Sequence, residues 1–140
     1  MARYSKRAQG SHEWFAMVGA IVCEALDRSG SQSALDWTFV ERYSDGKAFP
    51  DGLMQGIRFD VCGELATYRV GVGPDERGDV TVEVTVAAAR ALNLLYSDDP
   101  QFDLAWETAV ATGALQIEGD LSLIATALAQ THDSIVYRTV

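Results

Sequence analysis

Cysteine and histidine are scarce in this sequence, which has only two residues of each type. Structural zinc sites use about four sulfur or nitrogen ligands, and two cysteines with two distant histidines make a poor set. Cys23 lies in an apolar helical pattern and Cys62 in a strand pattern. Because free cysteine behaves as a small hydrophobic residue, we expect both side chains to be buried. The sequence therefore predicts no metal site and no cofactor.

Positive charge is also scarce, because 11 lysine and arginine residues stand against 20 acidic ones and leave a formal net charge of −9. This balance repels phosphate backbones and anionic lipid surfaces, and no basic stripe in the sequence compensates for it. We therefore expect no nucleic-acid partner. The acidic residues are scattered along the chain, which is more typical of a solvated surface than of a cation site.

No apolar run reaches the roughly 20 residues that a helix needs to span a bilayer. The longest one, residues 14–26, follows three basic residues and so loosely imitates a secretory signal. Glu13 precedes this run, Glu24 interrupts its end, and no clean cleavage site follows. We interpret the run as a core helix and expect a cytoplasmic protein without stable membrane insertion.

Hydrophobic periodicity divides the chain into nine elements separated by polar turns. Helical spacing predicts helices over residues 11–28, 88–96, 100–113 and 121 to about 131. Alternating or β-branched stretches predict strands over residues 37–43, 53–61, 66–73, 80–86 and 114–118. Residues 1–10 are expected to be a loose N-terminus. The C-terminal tail, residues 133–140, is β-prone but has no partner that the sequence identifies.

The predicted order α-β-β-β-β-α-α-β-α indicates a single α+β domain over residues 1–140, because the helices flank the strands instead of alternating with them. Short connections separate the first four strands, and residues 74–78 resemble a polar hairpin loop. Strands joined in this way pair antiparallel. We therefore expect a five-stranded, mostly antiparallel sheet covered by helices.

Catalytic signatures are missing from the sequence, which has no nucleophile elbow, phosphate loop or zinc-protease motif. The pair His132–Asp133 is the most suggestive for acid–base chemistry, because a carboxylate can orient an imidazole. A histidine at a helix end can also simply favour the helix dipole. No residue is therefore assigned as catalytic; if the protein is an enzyme, His132, Asp60, Glu64 and Tyr68 are the residues to test.

Residues that can line an apolar pocket are easier to nominate. The last predicted helix carries two apolar stripes, of which one must pack on the sheet and the other is available to a ligand or a partner chain. Each nominated residue can equally be an ordinary core residue. The predicted ligand-binding residues are Phe59, Val61, Trp106, Val110, Leu121, Ile124 and Leu128.

The C-terminal half carries a sharper pattern. A strand at residues 80–85 runs into a helix, a proline-started helix follows, and residues 113–121 then combine a glycine, a short amphipathic strand, Gly119-Asp120 and the start of a last helix. This arrangement resembles the sterol carrier protein-2 family over about residues 12–132. The resemblance implies an apolar tunnel between sheet and helices, in carriers of sterols, fatty acids or acyl-CoA. Gln116 and Glu118 depart from the lysines that the family often has before Gly-Asp.

Three functions remain open at this point. The first is a carrier or binding protein for an apolar, lipid-like ligand such as a sterol or steroid, a fatty acid or an acyl-CoA. The second is a small lyase, hydratase or cyclase acting on a steroid or polyketide-like substrate in the same cavity. The third is an interaction module that forms a homodimer or docks to a larger enzyme through an apolar helix face.

Overall fold

The computed structural model describes residues 5–28 and 36–140. It confirms the α+β class and the predicted order of elements. The helices are α1 (His12–Arg28), α2 (Val86–Asn93), α3 (Pro100–Thr112) and α4 (Ser122–Tyr137). The strands are β1 (Trp37–Tyr43), β2 (Met54–Cys62), β3 (Leu65–Val72), β4 (Val80–Val84) and β5 (Leu115–Glu118).

The five strands form one sheet in the order β3-β2-β1-β4-β5. The neighbouring pairs are antiparallel except β1 and β4, which run parallel. The sheet is therefore mostly antiparallel, as predicted. The hairpin expected at residues 74–78 is wrong, because β4 pairs with β1 and not with β3. The connection instead crosses β2 and β1 to reach the far side of β1.

Side chains of β1 hold this crossing connection. Arg42 is buried, and its guanidinium donates hydrogen bonds to the carbonyl oxygens of Gly73 at 3.0 Å and Glu76 at 2.8 Å. At the other end, the Thr38 N–H donates to the Asp79 carboxylate at 3.0 Å, and the Asp79 N–H donates to the Thr38 hydroxyl at 2.9 Å. These long-range contacts fix the position of β4, and they cannot be predicted from the length of the loop.

The sheet has an inner face, packed against the helices, and an outer face, which carries charged side chains. On the inner face, Phe39 of β1 is in register with Phe59 of β2 and Val80 of β4. All three side chains are buried in one core together with apolar residues from the four helices. On the outer face, Arg42 and Glu83 are paired across β1 and β4.

The last helix is longer than predicted. It continues to Tyr137 because Ile135 and Val136 extend its buried stripe and the Thr131 hydroxyl donates to the Ala127 carbonyl oxygen at 2.8 Å within the helix. The predicted C-terminal tail of residues 133–140 is thus mostly helical. β-branched residues favour strands in general, but here burial against the core outweighs that preference.

The described part of the N-terminus contacts the C-terminus. The Arg7 N–H donates to the Arg138 carbonyl oxygen at 2.7 Å, and the Val140 N–H donates back to the Arg7 carbonyl oxygen at 2.9 Å. The Trp14 indole N–H donates to the Thr139 hydroxyl at 2.9 Å. The loose N-terminus predicted for residues 1–10 is therefore wrong for Arg7, and residues 1–4 lie outside the described residues.

The two cysteines differ. Cys23 is buried in α1 as predicted, and burial, followed by the charge of Asp27, raises the pKa of its thiol to about 11. The prediction is wrong for Cys62, which is exposed at the end of β2, in register with Leu65 of the edge strand β3, which is also exposed. Among the described residues, none of the helices has both the length and the apolar content that crossing a bilayer requires.

Candidate ligand cavity

A cavity of about 560 Å³ lies between the inner face of the sheet and the helices. Its floor is formed by β1, β2, β4 and Leu115 of β5, and its walls by all four helices. Phe39 and Phe59 contribute aromatic rings to the floor, and Trp14 of α1 and Trp106 of α3 contribute rings to the walls. The lining is therefore apolar over most of its surface.

The cavity opens to solvent between α3 and α4. Ser97, Asp103 and Ala129 line it and are exposed, whereas the floor residues beneath them are buried. Helix α3 begins with a regular cap, in which the Asp99 carboxylate accepts a hydrogen bond from the backbone N–H of Gln101 at 2.8 Å. Beyond this cap, Ala109 is the buried residue of α3. A helix so lightly packed leaves the space beneath it available to a ligand.

The cavity brings together four of the seven residues that the sequence nominated for ligand binding. Phe59, Trp106, Leu121 and Leu128 line it, and their role in binding stays a prediction.

The other three nominated residues lie elsewhere. Val61 and Ile124 are buried in the core outside the cavity, and Val110 is 48% exposed on the outer side of α3. The rotation of α4 explains the division, because Leu121, Ala125 and Leu128 share the stripe that faces the cavity while Ile124 belongs to the neighbouring stripe. Both stripes are evident in the sequence, but the sequence does not show which one faces the cavity.

Three of the four acid–base candidates lie away from the cavity. Asp60 accepts hydrogen bonds from Arg58 on the outer face of the sheet, the shortest at 3.0 Å. Glu64 is exposed in the turn between β2 and β3. Tyr68 is on the edge strand β3, where its ring packs so closely over Gly19 of α1 that a Cβ at that glycine would clash with it.

His132 is the fourth candidate, and it does line the cavity. Its Nε2 atom lies 2.8 Å from the Leu95 carbonyl oxygen, and because a carbonyl oxygen only accepts, Nε2 must carry the proton. The ring also packs against Phe102, with centroids 4.7 Å apart. These contacts fix the imidazole at the wall of the cavity.

Asp133 does not orient that imidazole, so the acid–base pairing considered for His132 and Asp133 is not formed. The Asp133 carboxylate accepts hydrogen bonds from the Ser97 N–H and the Ser97 hydroxyl, both at 2.8 Å. These two bonds lower the pKa of Asp133. Adjacent residues on a helix point about 100° apart, which explains why one faces the cavity and the other the loop after α2.

Glu41, which was not nominated from the sequence, lies in the middle of the cavity floor. It is in register with Ile57 of β2 and Val82 of β4, both buried apolar residues. Glu41 is partly accessible because its side chain adjoins the cavity, and burial raises its pKa from 4.5 to about 7. The strand alternation contained the signal, since Phe39, Glu41 and Tyr43 share one face and only the glutamate is charged.

Comparison with known proteins gives similarity in structure alone. No protein-family model matches the chain, and no curated protein sequence matches it either. A crystal structure of sterol carrier protein 2 has 14% identity and a TM-score of 0.49, and the match covers 94% of this chain and 99% of that one. A possible sterol carrier protein from Thermus thermophilus has 15% identity and a TM-score of 0.44, with 95% and 92% covered.

A sec-alkylsulfatase from a Pseudomonas species has 21% identity and a TM-score of 0.44, and the match covers 83% of this chain. This chain spans only 15% of that enzyme's length. Sterol carrier protein 2 structures, the family that the sequence resembles, thus recur among the matches with nearly full coverage. Because these TM-scores are below 0.5, we infer the function from the cavity and not from these similarities.

Proposed function

We propose that this chain binds an apolar, lipid-like ligand in the cavity between the sheet and the helices, as a carrier or binding protein. The observation that supports the proposal is the cavity itself, with its volume of about 560 Å³, its apolar lining and its opening between α3 and α4. Small-molecule sites in proteins are typically concave, mostly apolar and roughly 300–1,000 Å³ in volume.

The lining of the cavity favours an apolar occupant. Side chains such as Phe59 and Leu128 face the cavity, so an apolar ligand gains dispersion contacts with them like those within a packed core. Water recovers little there, because an ordered water needs several polar partners and the lining offers few. A ligand that fills the space removes its own apolar surface from water, at about 25 cal/mol per Å².

The ligand classes to try first are the ones that the sequence resemblance implies: sterols or steroids, fatty acids and acyl-CoA. The cytoplasmic location stays a prediction, as do the homodimer and the docking to a larger enzyme.

A substitution that fills the cavity tests the proposal. Ala125 lines the cavity from α4, whereas Ala111 is exposed on α3 outside the lining. We expect Ala125→Phe to weaken binding of a neutral fluorescent sterol probe at least about tenfold, and Ala111→Phe to leave it unchanged. Thermal unfolding of both variants checks that the fold is retained. Equal binding by both variants, or no binding by the wild type, would contradict a ligand in this cavity.

A small lyase, hydratase or cyclase is the second candidate, and Glu41 is the observation that favours it. A carboxyl with a pKa of about 7 in an apolar cavity is suited to proton transfer near neutral pH. His132 lines the same cavity, whereas Asp60, Glu64 and Tyr68 do not. If the protein is an enzyme, a bound steroid or polyketide-like compound should change chemically on incubation, and Glu41→Gln should abolish that change. If the compound is unchanged, the enzymatic function is contradicted and only the binding function remains.

A further inference from the structure

Glu41 lacks the partners that a buried carboxylate normally has. Within residues 5–28 and 36–140, no side chain or backbone group donates a hydrogen bond to it and no cation pairs with it. The adjacent Arg42 points to the opposite face of the sheet, where it holds the connection before β4. An ionised carboxylate without partners is energetically unfavourable in an apolar site. A ligand group that donates a hydrogen bond to Glu41, or pairs with it as a cation, therefore adds more to the binding free energy than other polar groups.

Cations are also missing from the rest of the cavity. No lysine or arginine is among the described residues that line it. At the mouth, Asp103 adds a second acidic group, and the Nε2–H of His132 is already bonded to the Leu95 carbonyl oxygen. A carboxylate or phosphate group on a ligand therefore meets acidic groups at the floor and at the mouth, and no positive side chain that could bind it.

We propose that Glu41 makes the cavity selective for apolar ligands whose polar group donates a hydrogen bond to a carboxylate, above all a protonated amine. The same residue selects against ligands that carry a carboxylate or phosphate. This inference rests on the proposed function and narrows it, because fatty acids and acyl-CoA become poor ligands while a long-chain or polycyclic amine becomes a good one.

Selectivity of this kind depends on pH. Glu41 is mostly ionised only above pH 7, whereas an alkylamine, like lysine, stays protonated to about pH 10. The other titratable groups on the same face of β1 or in the cavity lining are Tyr43 on β1, Asp103 on α3 and His132 on α4. The described lining residues of α1, α2, β2, β4 and β5 include no titratable side chain. Amine binding should therefore strengthen between pH 5.5 and pH 8.5.

Three probes with the same 12-carbon chain separate charge from chain length: dodecylamine, methyl dodecanoate and dodecanoate. Affinities are measured by displacement of a neutral fluorescent probe at pH 8.5, below the micelle concentrations. We expect the wild type to prefer the amine over the acid, and Glu41→Gln to reduce that preference by about tenfold to a hundredfold. The control is Glu107→Gln, which removes an exposed charge on α3 and should leave the preference unchanged.

The pH dependence is measured in the same assay, with His132→Asn as the control, because His132 is the histidine that lines the same cavity. The dependence should persist in that variant and disappear in Glu41→Gln. The inference is overturned if Glu41→Gln keeps the wild-type preference, or if the wild type binds the acid as well as the amine. If methyl dodecanoate binds but the amine is not preferred over the acid, only the selectivity is contradicted. If none of the three probes binds, the proposed function is contradicted as well.

Discussion

Glu41 and Glu76 lie on opposite sides of the same sheet, and their surroundings shift their pKa values in opposite directions. Burial raises the pKa of Glu41 to about 7, with nothing to offset it. Burial also acts to raise the pKa of Glu76, but the Gly73 N–H, Arg58 and Arg69 all bond to its carboxylate and lower the pKa below 4.5. The difference has two causes: Glu41 is more deeply buried, and among the described residues only Glu76 has partners for its carboxylate.

The outer face uses its charges to hold the chain in place. Glu76 ties the connection after β3 to Arg58 of β2, at 3.0 Å, and to Arg69 of β3. Glu41 makes no such contact within the described residues, so it destabilises the fold when it is ionised. Residues that lower stability are typically found at functional sites. Glu41 lies on the floor of the cavity, so we attribute its presence to function and not to folding.

The largest effect is expected on the outer face, at Arg42. Replacing it with Met leaves the Glu76 carbonyl oxygen without its donor and removes one of the two donors to the Gly73 carbonyl oxygen. It also leaves Glu83 without its buried partner. We expect Arg42→Met to lower the free energy of unfolding by about 3–5 kcal/mol in urea titrations at pH 7. A loss below about 1 kcal/mol would show that the connection holds β4 in place without Arg42.

Glu41 should show the next largest effect, with the opposite sign. Because its folded-state pKa is raised from 4.5 to about 7, its contribution to stability is intact below pH 4.5 and is lost as the pH rises through 7. The shift corresponds to about 3 kcal/mol at pH 8. Urea titrations should find Glu41→Gln as stable as the wild type near pH 4.5 and more stable at pH 8. Parallel pH profiles for the two proteins would refute the raised pKa.

Glu76 should show a smaller effect with the reverse pH dependence. Its lowered pKa means that its contribution is present above pH 4.5 and is lost as the pH falls through the lower, folded-state value. We expect Glu76→Gln to cost about 1 kcal/mol at pH 7, since Arg58 and Arg69 are partly exposed. The cost should shrink in acid and in high salt. A cost that is constant from pH 3 to pH 7 would contradict the ionic account.

The smallest effect is expected at Arg77, which pairs with Glu118 at 2.8 Å and with Glu83 at 3.3 Å near the edge of the sheet. Arg77 and Glu118 are well exposed, so solvent screens their attraction. Arg77→Gln should change the free energy of unfolding by less than about 0.5 kcal/mol. A loss of unfolding free energy as large as that of Glu76→Gln would show that solvent exposure does not explain the difference between the two ion-pair sites.

The order of elements could be predicted from the sequence because each element carries its own periodicity and turn signals. The position of β4 could not, because it depends on long-range contacts such as those of Arg42 and Asp79 with the crossing connection. A polar loop of that length is compatible with a hairpin and with a crossover. The end of α4 was also missed, since Ile135 and Val136 favour strands unless a core is there to bury them.

The candidate site was only partly predictable for a related reason. Two apolar stripes on α4 were evident, but the stripe that faces the cavity depends on how the helix rotates over the sheet. Leu121 and Leu128 therefore line the cavity while Ile124 does not. Glu41 could have been predicted, because it is a charged residue on the aromatic face of β1 between Phe39 and Tyr43.

The most direct test of a ligand in this cavity is native mass spectrometry of freshly purified protein, followed by organic extraction of whatever it carries. The account predicts an added mass on the wild type that apolar competitors displace and that is reduced in Ala125→Phe but not in Ala111→Phe. A wild-type protein that carries no added mass and also fails to take up fluorescent lipids would contradict it.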